Sequence, residues 1–382
     1  MLKGIEHIYT NDKQAIAVTS IARSGNKVFC GLTGGPKCLA VFDIEKKAFV
    51  LDENIFPWAN ETPQIVLRKI HNALGVMKDG QVILGEGILY SWDGIPFELR
   101  NDHNTEAMQN RREQCGQSRL NLKDIGPTDM QTFDMRCLTG GKILTWHPDT
   151  KKITEICQLP TGQYVQSMVL DKENNKAYGH TIGGTLFFEV FIDEKRIEMH
   201  GRISTWAFHN LVVKKGIVYG AWIDFDLENK LRVLRFDPKK GYLERLNAVY
   251  LDDPGPRIQG NKGIDQWIVH SSGDIYVGIA GSGILYKFDD KNLKLIEIGR
   301  IGQGGRITSL DEDEKGRIIF TGGFPKMSVG RFDPKTNKME DFGHITEKYN
   351  KIYFHGSTYY NGILYLAETD SGVASIWEVK LP

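Results

Sequence analysis

Asn210-Leu211-Val212-Val213, Gly216-Ile217-Val218-Tyr219-Gly220, Leu231-Arg232-Val233-Leu234-Arg235-Phe236 and Tyr242-Leu243-Glu244-Arg245-Leu246 follow one another along the chain. β-branched and aromatic residues dominate these four short runs, and such residues fit a pleated, half-buried surface. Turn chemistry separates them, most plainly in Asp237-Pro238-Lys239-Lys240-Gly241 between the third and the fourth. The stretch reads as four antiparallel strands, the third ending in an aromatic residue followed by Asp.

The unit recurs. Phe42, Trp146, Phe191, Phe236, Phe288, Phe332 and Trp377 each end a similar run, and from Trp146 onward they stand 45, 45, 52, 44 and 45 residues apart. An interval of about 40–50 residues holding four strands is that of a propeller blade. The second strand returns as Lys27-Val28-Phe29-Cys30-Gly31, Gln81-Val82-Ile83-Leu84-Gly85, Asp274-Ile275-Tyr276-Val277-Gly278 and Arg317-Ile318-Ile319-Phe320-Thr321. No stretch of comparable length carries a helical period. The prediction is an all-β, seven-bladed β-propeller of four-stranded antiparallel blades. Counting Trp92 as a further blade end gives eight, but Asn101 to Asp124 holds no apolar pair of strands with which to begin one. Residues 90–135 are therefore read as an insertion in blade two of a single domain spanning 1–382. The last unit ends on Ser375-Ile376-Trp377-Glu378-Val379-Lys380 without a fourth strand. Gly4 to Tyr9 is the predicted donor, closing the ring by pairing the two termini and removing an exposed edge.

Bulk properties narrow the function. Lys plus Arg and Asp plus Glu are 48 each, so no net field draws nucleic acid or an anionic membrane from a distance. Neither a signal-peptide stretch nor a bilayer-length apolar run is present, and the expectation is a cytoplasmic protein without membrane or nucleic-acid partners. Cys30, Cys38, Cys115, Cys137 and Cys157 have no CxxC spacing and read as buried thiols.

In a propeller, the links from second to third strand and from each blade to the next open on one face around the axial channel, where ligands bind. His71, His209 and His355 stand at the start of innermost strands, and His180 opens a link on that face. Imidazoles gathered there suit proton transfer near neutral pH. Trp206, Trp222 and Trp267 map to the same end as a sugar platform, with interblade packing as the competing reading. Arg257, Gln259 and Arg306, in Gly- and Pro-rich loops, are candidates for holding a carboxylate. The Gly-rich links lack the helix and Lys-Ser/Thr of a phosphate loop, and no GxSxG, HExxH or EF-hand pattern occurs. A metal-dependent hydrolase would need clustered carboxylates, and Glu86, Asp224 and Asp370 are scattered. No metal site is predicted, and the cofactor is left open.

Lys69-Ile70-His71 with Asp79-Gly80, Gly140-Gly141-Lys142-Ile143-Leu144-Thr145-Trp146, Tyr178-Gly179-His180-Thr181 and Phe320-Thr321-Gly322-Gly323 resemble the β-propeller polysaccharide lyases of the ulvan and uronate lyase type. The likeness extends to Ala367-Glu368-Thr369-Asp370 and covers nearly the whole chain. It implies β-elimination at a uronic acid in an oligosaccharide, with His71 matching the family's histidine and His103 as a second histidine from the insertion. The alternative is a propeller without catalysis that binds a sugar or a protein partner.

Overall fold

In the computed structural model, residues 2–12, 15–34, 37–57, 67–89, 139–182, 184–203, 211–224, 230–250, 263–302, 304–323, 326–348, 352–369 and 374–382 are described. The strands are β1 (Lys3–Tyr9), β2 (Ala17–Ser24), β3 (Lys27–Thr33), β4 (Leu39–Asp43), β5 (Ala48–Glu53), β6 (Leu67–Lys69), β7 (Leu74–Val76), β8 (Val82–Gly85), β9 (Gly87–Leu89), β10 (Lys142–Trp146), β11 (Ile153–Gln158), β12 (Tyr164–Asp171), β13 (Lys176–Ile182), β14 (Leu186–Phe191) and β15 (Arg196–Arg202). They continue as β16 (Val212–Lys214), β17 (Ile217–Asp224), β18 (Lys230–Asp237), β19 (Tyr242–Tyr250), β20 (Gly263–Val269), β21 (Ile275–Ala280), β22 (Ile284–Asp289), β23 (Lys294–Arg300), β24 (Arg306–Glu312), β25 (Ile318–Gly323), β26 (Ser328–Asp333), β27 (Lys338–His344), β28 (Tyr353–Tyr360), β29 (Ile363–Thr369) and β30 (Ser375–Lys380).

Seven antiparallel sheets form the seven blades of a β-propeller. Blade one is β2 to β5, blade two is β7, β8, β10 and β11, and blades three to six are the successive quartets from β12 to β27. Blade seven is β28, β29 and β30 with β1 as its outer strand, paired from Lys3↔Lys380 to Tyr9↔Ser375. The termini therefore close the ring, as the unpaired last unit requires. Between blades one and two, β6 pairs with β9 and touches β3 at Thr33↔Lys69, which extends the first sheet along the rim. Trp92 and the predicted insertion lie outside the described residues.

The recurring aromatic owes its place to interblade packing. Trp146 meets Phe29, Phe236 meets Tyr178, Phe288 meets Tyr219, Phe332 meets Tyr276 and Phe42 meets Tyr365, with ring centroids 5.5–6.2 Å apart. In each pair the third strand of one blade packs on the second strand of the blade before. The residue after the aromatic caps the following turn: Asp43, Asp237, Asp289 and Asp333 accept main-chain N–H bonds there through Oδ1, and His147 does so through Nδ1.

Blades three and seven depart from the sequence reading. Strand register puts Val190, not Phe191, in the packing position, and Phe191 lies one place on beneath Lys176 and Arg196. In blade seven the position falls to Val379, two residues after Trp377. The facing second-strand residues are then Ile83 and Ile319, each in the same core cluster as its Val. Aromatic meets aromatic at five interfaces and aliphatic meets aliphatic at two, so residues of like kind face each other at every one.

Outer strands carry a second repeat. Gly201, Gly299 and Gly343 sit at irregularities in outer-strand pairing with φ of 97°, 145° and 83°, a region open to glycine. Gly4 does the same in β1 at φ 67°, which marks the N-terminal strand as a genuine blade edge.

Candidate functional site

Innermost strands break register at one equivalent place. The bulged residue is Thr19 in blade one, Gln166 in blade three, Asp265 in blade five, Thr308 in blade six and His355 in blade seven. A bulge turns one side chain away from the regular pleat. In blade two the matching residue is His71, followed by Asn72 in a left-handed conformation at φ 44°. These residues share one tier at the axis, which we call the collar. In sequence each is the polar middle of an apolar-polar-small or polar triplet: Val18-Thr19-Ser20, Ile70-His71-Asn72, Val165-Gln166-Ser167, Ile264-Asp265-Gln266, Ile307-Thr308-Ser309 and Phe354-His355-Gly356. The triplet stands out only once the bulges align it; in the sequence its histidines alone are conspicuous.

The collar brings two predicted residues together. His71 and His355 meet with ring centroids 4.6 Å apart and planes at 60°. They come from blades two and seven and meet across blade one, where Thr19 is small and turned away, its Oγ1 donating to the Ile70 carbonyl at 2.8 Å. His71 Nδ1 lies 2.8 Å from the main-chain carbonyl of Gln166. A carbonyl only accepts, so Nδ1 carries a proton and Nε2 is the basic nitrogen of the neutral ring. Both imidazoles are buried.

Two buried guanidiniums flank this pair. Arg306 binds Asp265 with both ends, Nη2 to Oδ1 at 2.9 Å and Nε to Oδ2, and its head lies 5.0 Å from the Tyr353 ring centre. Arg68 binds Glu86 at 2.8 Å and lies 5.2 Å from the Tyr164 ring centre. In both cases the cation sits between a carboxylate and the tyrosine that opens the next described innermost strand. Arg306, predicted to hold a substrate carboxylate, thus holds one of the chain's own.

The two described tryptophans of the prediction pack into cores, while His180 stays beside the collar. His180 is buried on β13, its backbone paired with Ser167 beside Gln166. Trp222 lies half-buried on β17 against the core between blades three and four. Trp267 is buried in the core of blades four and five, edge-on to Phe288 at 6.4 Å, which makes it packing and not a platform. His209, His103, Arg257, Gln259 and Trp206 lie outside the described residues.

Among the described residues, one donor set can reach a single ion: Glu189, Glu198 and His200, with ligand atoms within 4.8 Å of one another. It lies on the outer strands of blade three, away from the collar. Lys176 already neutralises Glu189 at 2.8 Å, and His200 bonds its second oxygen at 3.1 Å. Burial raises the Glu189 carboxyl, but the His200 and Lys176 bonds more than offset this and hold it low. An open groove of about 510 Å³ lies between blades two and three on the opposite face, lined by Met77, Asp79, His147, Lys152, Asn175 and Asp193 among others. Cys30 and Cys38 are buried thiols, and burial pushes the Cys38 thiol up to about 12.

No protein-family model matches the chain, and no curated protein matches it. Solved structures match its fold. A catalytically inactive virginiamycin B lyase from Staphylococcus aureus with quinupristin superposes at a TM-score of 0.59, with 11% identity over 99% of both chains. The RRP9 WD40 repeats superpose at 0.57, with 9% identity over 99% of this chain and 97% of theirs. The Dos1 propeller superposes at 0.52, with 11% identity over 95% and 78%. At such identities the likeness is one of fold alone, and what the chain shares with these proteins is the propeller.

Proposed function

We propose that the axial mouth carrying His71 and His355 is a proton-transfer site, and that the protein is a carbohydrate-active lyase cleaving small uronate-containing oligosaccharides by β-elimination in the cytoplasm. The observation that carries this reading is the imidazole pair 4.6 Å apart, with one member fixed in tautomer by a main-chain carbonyl. General bases must be aimed as well as basic, and the Gln166 carbonyl does the aiming.

In this mechanism His71 Nε2 takes the C5 proton of the uronate. The freed electron pair forms the C4=C5 double bond as the C4–O bond breaks. The departing oxygen takes a proton from His355 in its imidazolium form. Lys69 and Arg306 occupy equivalent places two residues before the collar in blades two and six, and both are buried. The Lys69 charge lowers the cost of carbanion character beside a carboxylate. One fold neighbour is itself named a lyase, and it lends this chain no residue.

Incubation with a panel of uronate oligosaccharides tests the reading. An unsaturated product raises ultraviolet absorbance, and His71→Ala abolishes the rise. Silence across the panel from the parent protein would end it.

A second reading is supported by the guanidiniums. Arg306 and Arg68 are each already neutralised by a protein carboxylate, which suits a propeller that binds a sugar or protein partner without turning it over. Calorimetric binding without product formation selects this alternative.

A further inference from the structure

Gln166 is the collar residue whose polar side chain the protein leaves unanswered. It is 6% exposed, and its Oε1 is sealed from solvent with no hydrogen-bond partner among the described residues. Its neighbours in the tier are spent within the protein. Thr19 Oγ1 bonds the Ile70 carbonyl, Asp265 bonds Arg306, and Thr308 Oγ1 lies 3.0 Å from Thr321 Oγ1. The main-chain carbonyl of Gln166 receives His71 Nδ1, so the residue lies beside the imidazole that the mechanism uses. Buried amides with an unmet valence destabilise a fold, and they persist in native structures where something outside the chain completes them.

Asn72 repeats the pattern on the adjoining blade. Its Nδ2 is buried without a partner among the described residues, and its main-chain carbonyl accepts from Met168 N at 2.8 Å, which seats it beside the strand of Gln166. Its φ of 44° belongs to a region where strain gathers at functional sites. Two primary amides therefore bracket His71, one short of a donor and one short of an acceptor. A hydroxyl group supplies both. A carboxylate, which only accepts, satisfies Asn72 and leaves Gln166 open.

We propose that Gln166, seconded by Asn72, is a hydroxyl-reading residue of the axial site, recognising a sugar hydroxyl next to the atom that His71 addresses. This rests on the axial mouth being a ligand site and does not depend on β-elimination.

Gln166→Leu removes the amide and keeps the volume. With a trimer of galacturonic acid as probe, the variant raises KM about tenfold, the worth of one neutral hydrogen bond, and leaves kcat within about threefold. Its melting temperature equals or exceeds the parent's, because an unpartnered buried carbonyl has been replaced by an apolar group. His71→Ala does the reverse, losing kcat while calorimetric affinity for the trimer holds. A lower melting temperature in Gln166→Leu would mean that the protein itself engages the amide, and it overturns the inference, as does an unchanged KM. If the parent neither binds nor cleaves the trimer, the uronate reading falls, and calorimetry with maltotriose and cellotriose decides this one. Binding that Gln166→Leu weakens supports it. Binding indifferent to Gln166, or no binding, overturns it.

Discussion

Two imidazoles in this propeller are held in opposite ways. His7, on the strand that closes the ring, stacks on Trp377 at 4.2 Å and 20°, and its Nε2 lies 2.9 Å from Glu368 Oε2 and 2.8 Å from Ser375 Oγ. The same carboxylate oxygen accepts from Ser375 at 2.5 Å and from the Trp377 indole at 2.7 Å. Histidine, serine and tryptophan are thereby tied to one buried charge in blade seven. His71, in the collar, is anchored by a neutral main-chain carbonyl and faces a second imidazole. A carboxylate partner orients a ring and favours its charged form, whereas a carbonyl sets orientation and tautomer with less bias on the charge. The first arrangement suits a latch and the second suits proton transfer.

Breaking the latch has the largest expected effect. Glu368→Ala strips the acceptor from three donors, two of them buried, and loss of one partner from a buried charged network costs about 3–5 kcal/mol. The melting temperature falls by several degrees, and hydrogen exchange quickens in β1 amides while β12 stays protected, since the terminal strand loses its clasp first. Uniform deprotection of both strands would show that Glu368 serves the whole ring and not its closure.

His71→Ala should give the complementary result. The collar loses its base, and turnover of a cleavable uronate drops about a hundredfold or more, the usual worth of general base catalysis. Stability falls by about 1–2 kcal/mol, from the lost bond to the Gln166 carbonyl and partial collapse of the site. Should the stability loss match that of Glu368→Ala while turnover survives, His71 would be a second latch and the contrast between the two sites would vanish.

The latch and the collar differ also in how far the sequence disclosed them. The closing strand was legible because Ser375 to Lys380 has no partner after it and Gly4 to Tyr9 has the right length and pattern. The role of Trp377 was not, since a signature counted by spacing cannot sense a two-residue offset. Register sets Val379 in the packing place and releases the indole to Glu368. The histidines of the collar were legible as residue types at strand starts. Gln166, Asp265, Thr19 and Thr308 were not, because single polar residues before an apolar run look like ordinary strand entries until a bulge aligns them. Nor does sequence reveal that Arg306 faces Asp265, since the two lie on neighbouring blades and their pairing depends on how one blade packs on the next.

Further along β24, Asp311 tests what the collar gains from its ion pairs. It lies three residues beyond Thr308 on β24, receives the Ser357 hydroxyl from blade seven and feels Arg23 of blade one. Burial pushes its carboxyl up to about 6, and the Ser357 hydroxyl, the Tyr359 backbone and Arg23 pull it only partly back. A raised carboxyl favours the protonated fold, so this contribution is full below the unfolded value near 4 and is lost as pH climbs through 6. Asp311→Asn should therefore leave stability unchanged near pH 4 and raise it by about 1–2 kcal/mol at pH 7, after discounting for partial exposure. Melting curves across that range check the sign, and a variant less stable at pH 7 would mean that Asp311 is held ionised, as Asp265 is by Arg306.

The smallest effect belongs to Trp267, and it separates a core aromatic from a ligand platform. Its ring is buried among Val233, Ile264, Val277 and Phe288, and its indole Nε1 finds no hydrogen-bond partner among the described residues. Trp267→Phe gives up dispersion contacts but relieves a buried N–H, and the two changes oppose each other. The net cost is about 1 kcal/mol or less, with KM and kcat for any collar ligand unmoved. A tenfold loss of affinity at unchanged stability would return Trp267 to the site and extend the ligand surface from the collar into blade five. The sign of the stability change is informative as well: a gain would show that the unmet indole outweighs the packing it provides, the same imbalance expected at Gln166, whose unmet amide the inference above assigns to a ligand hydroxyl.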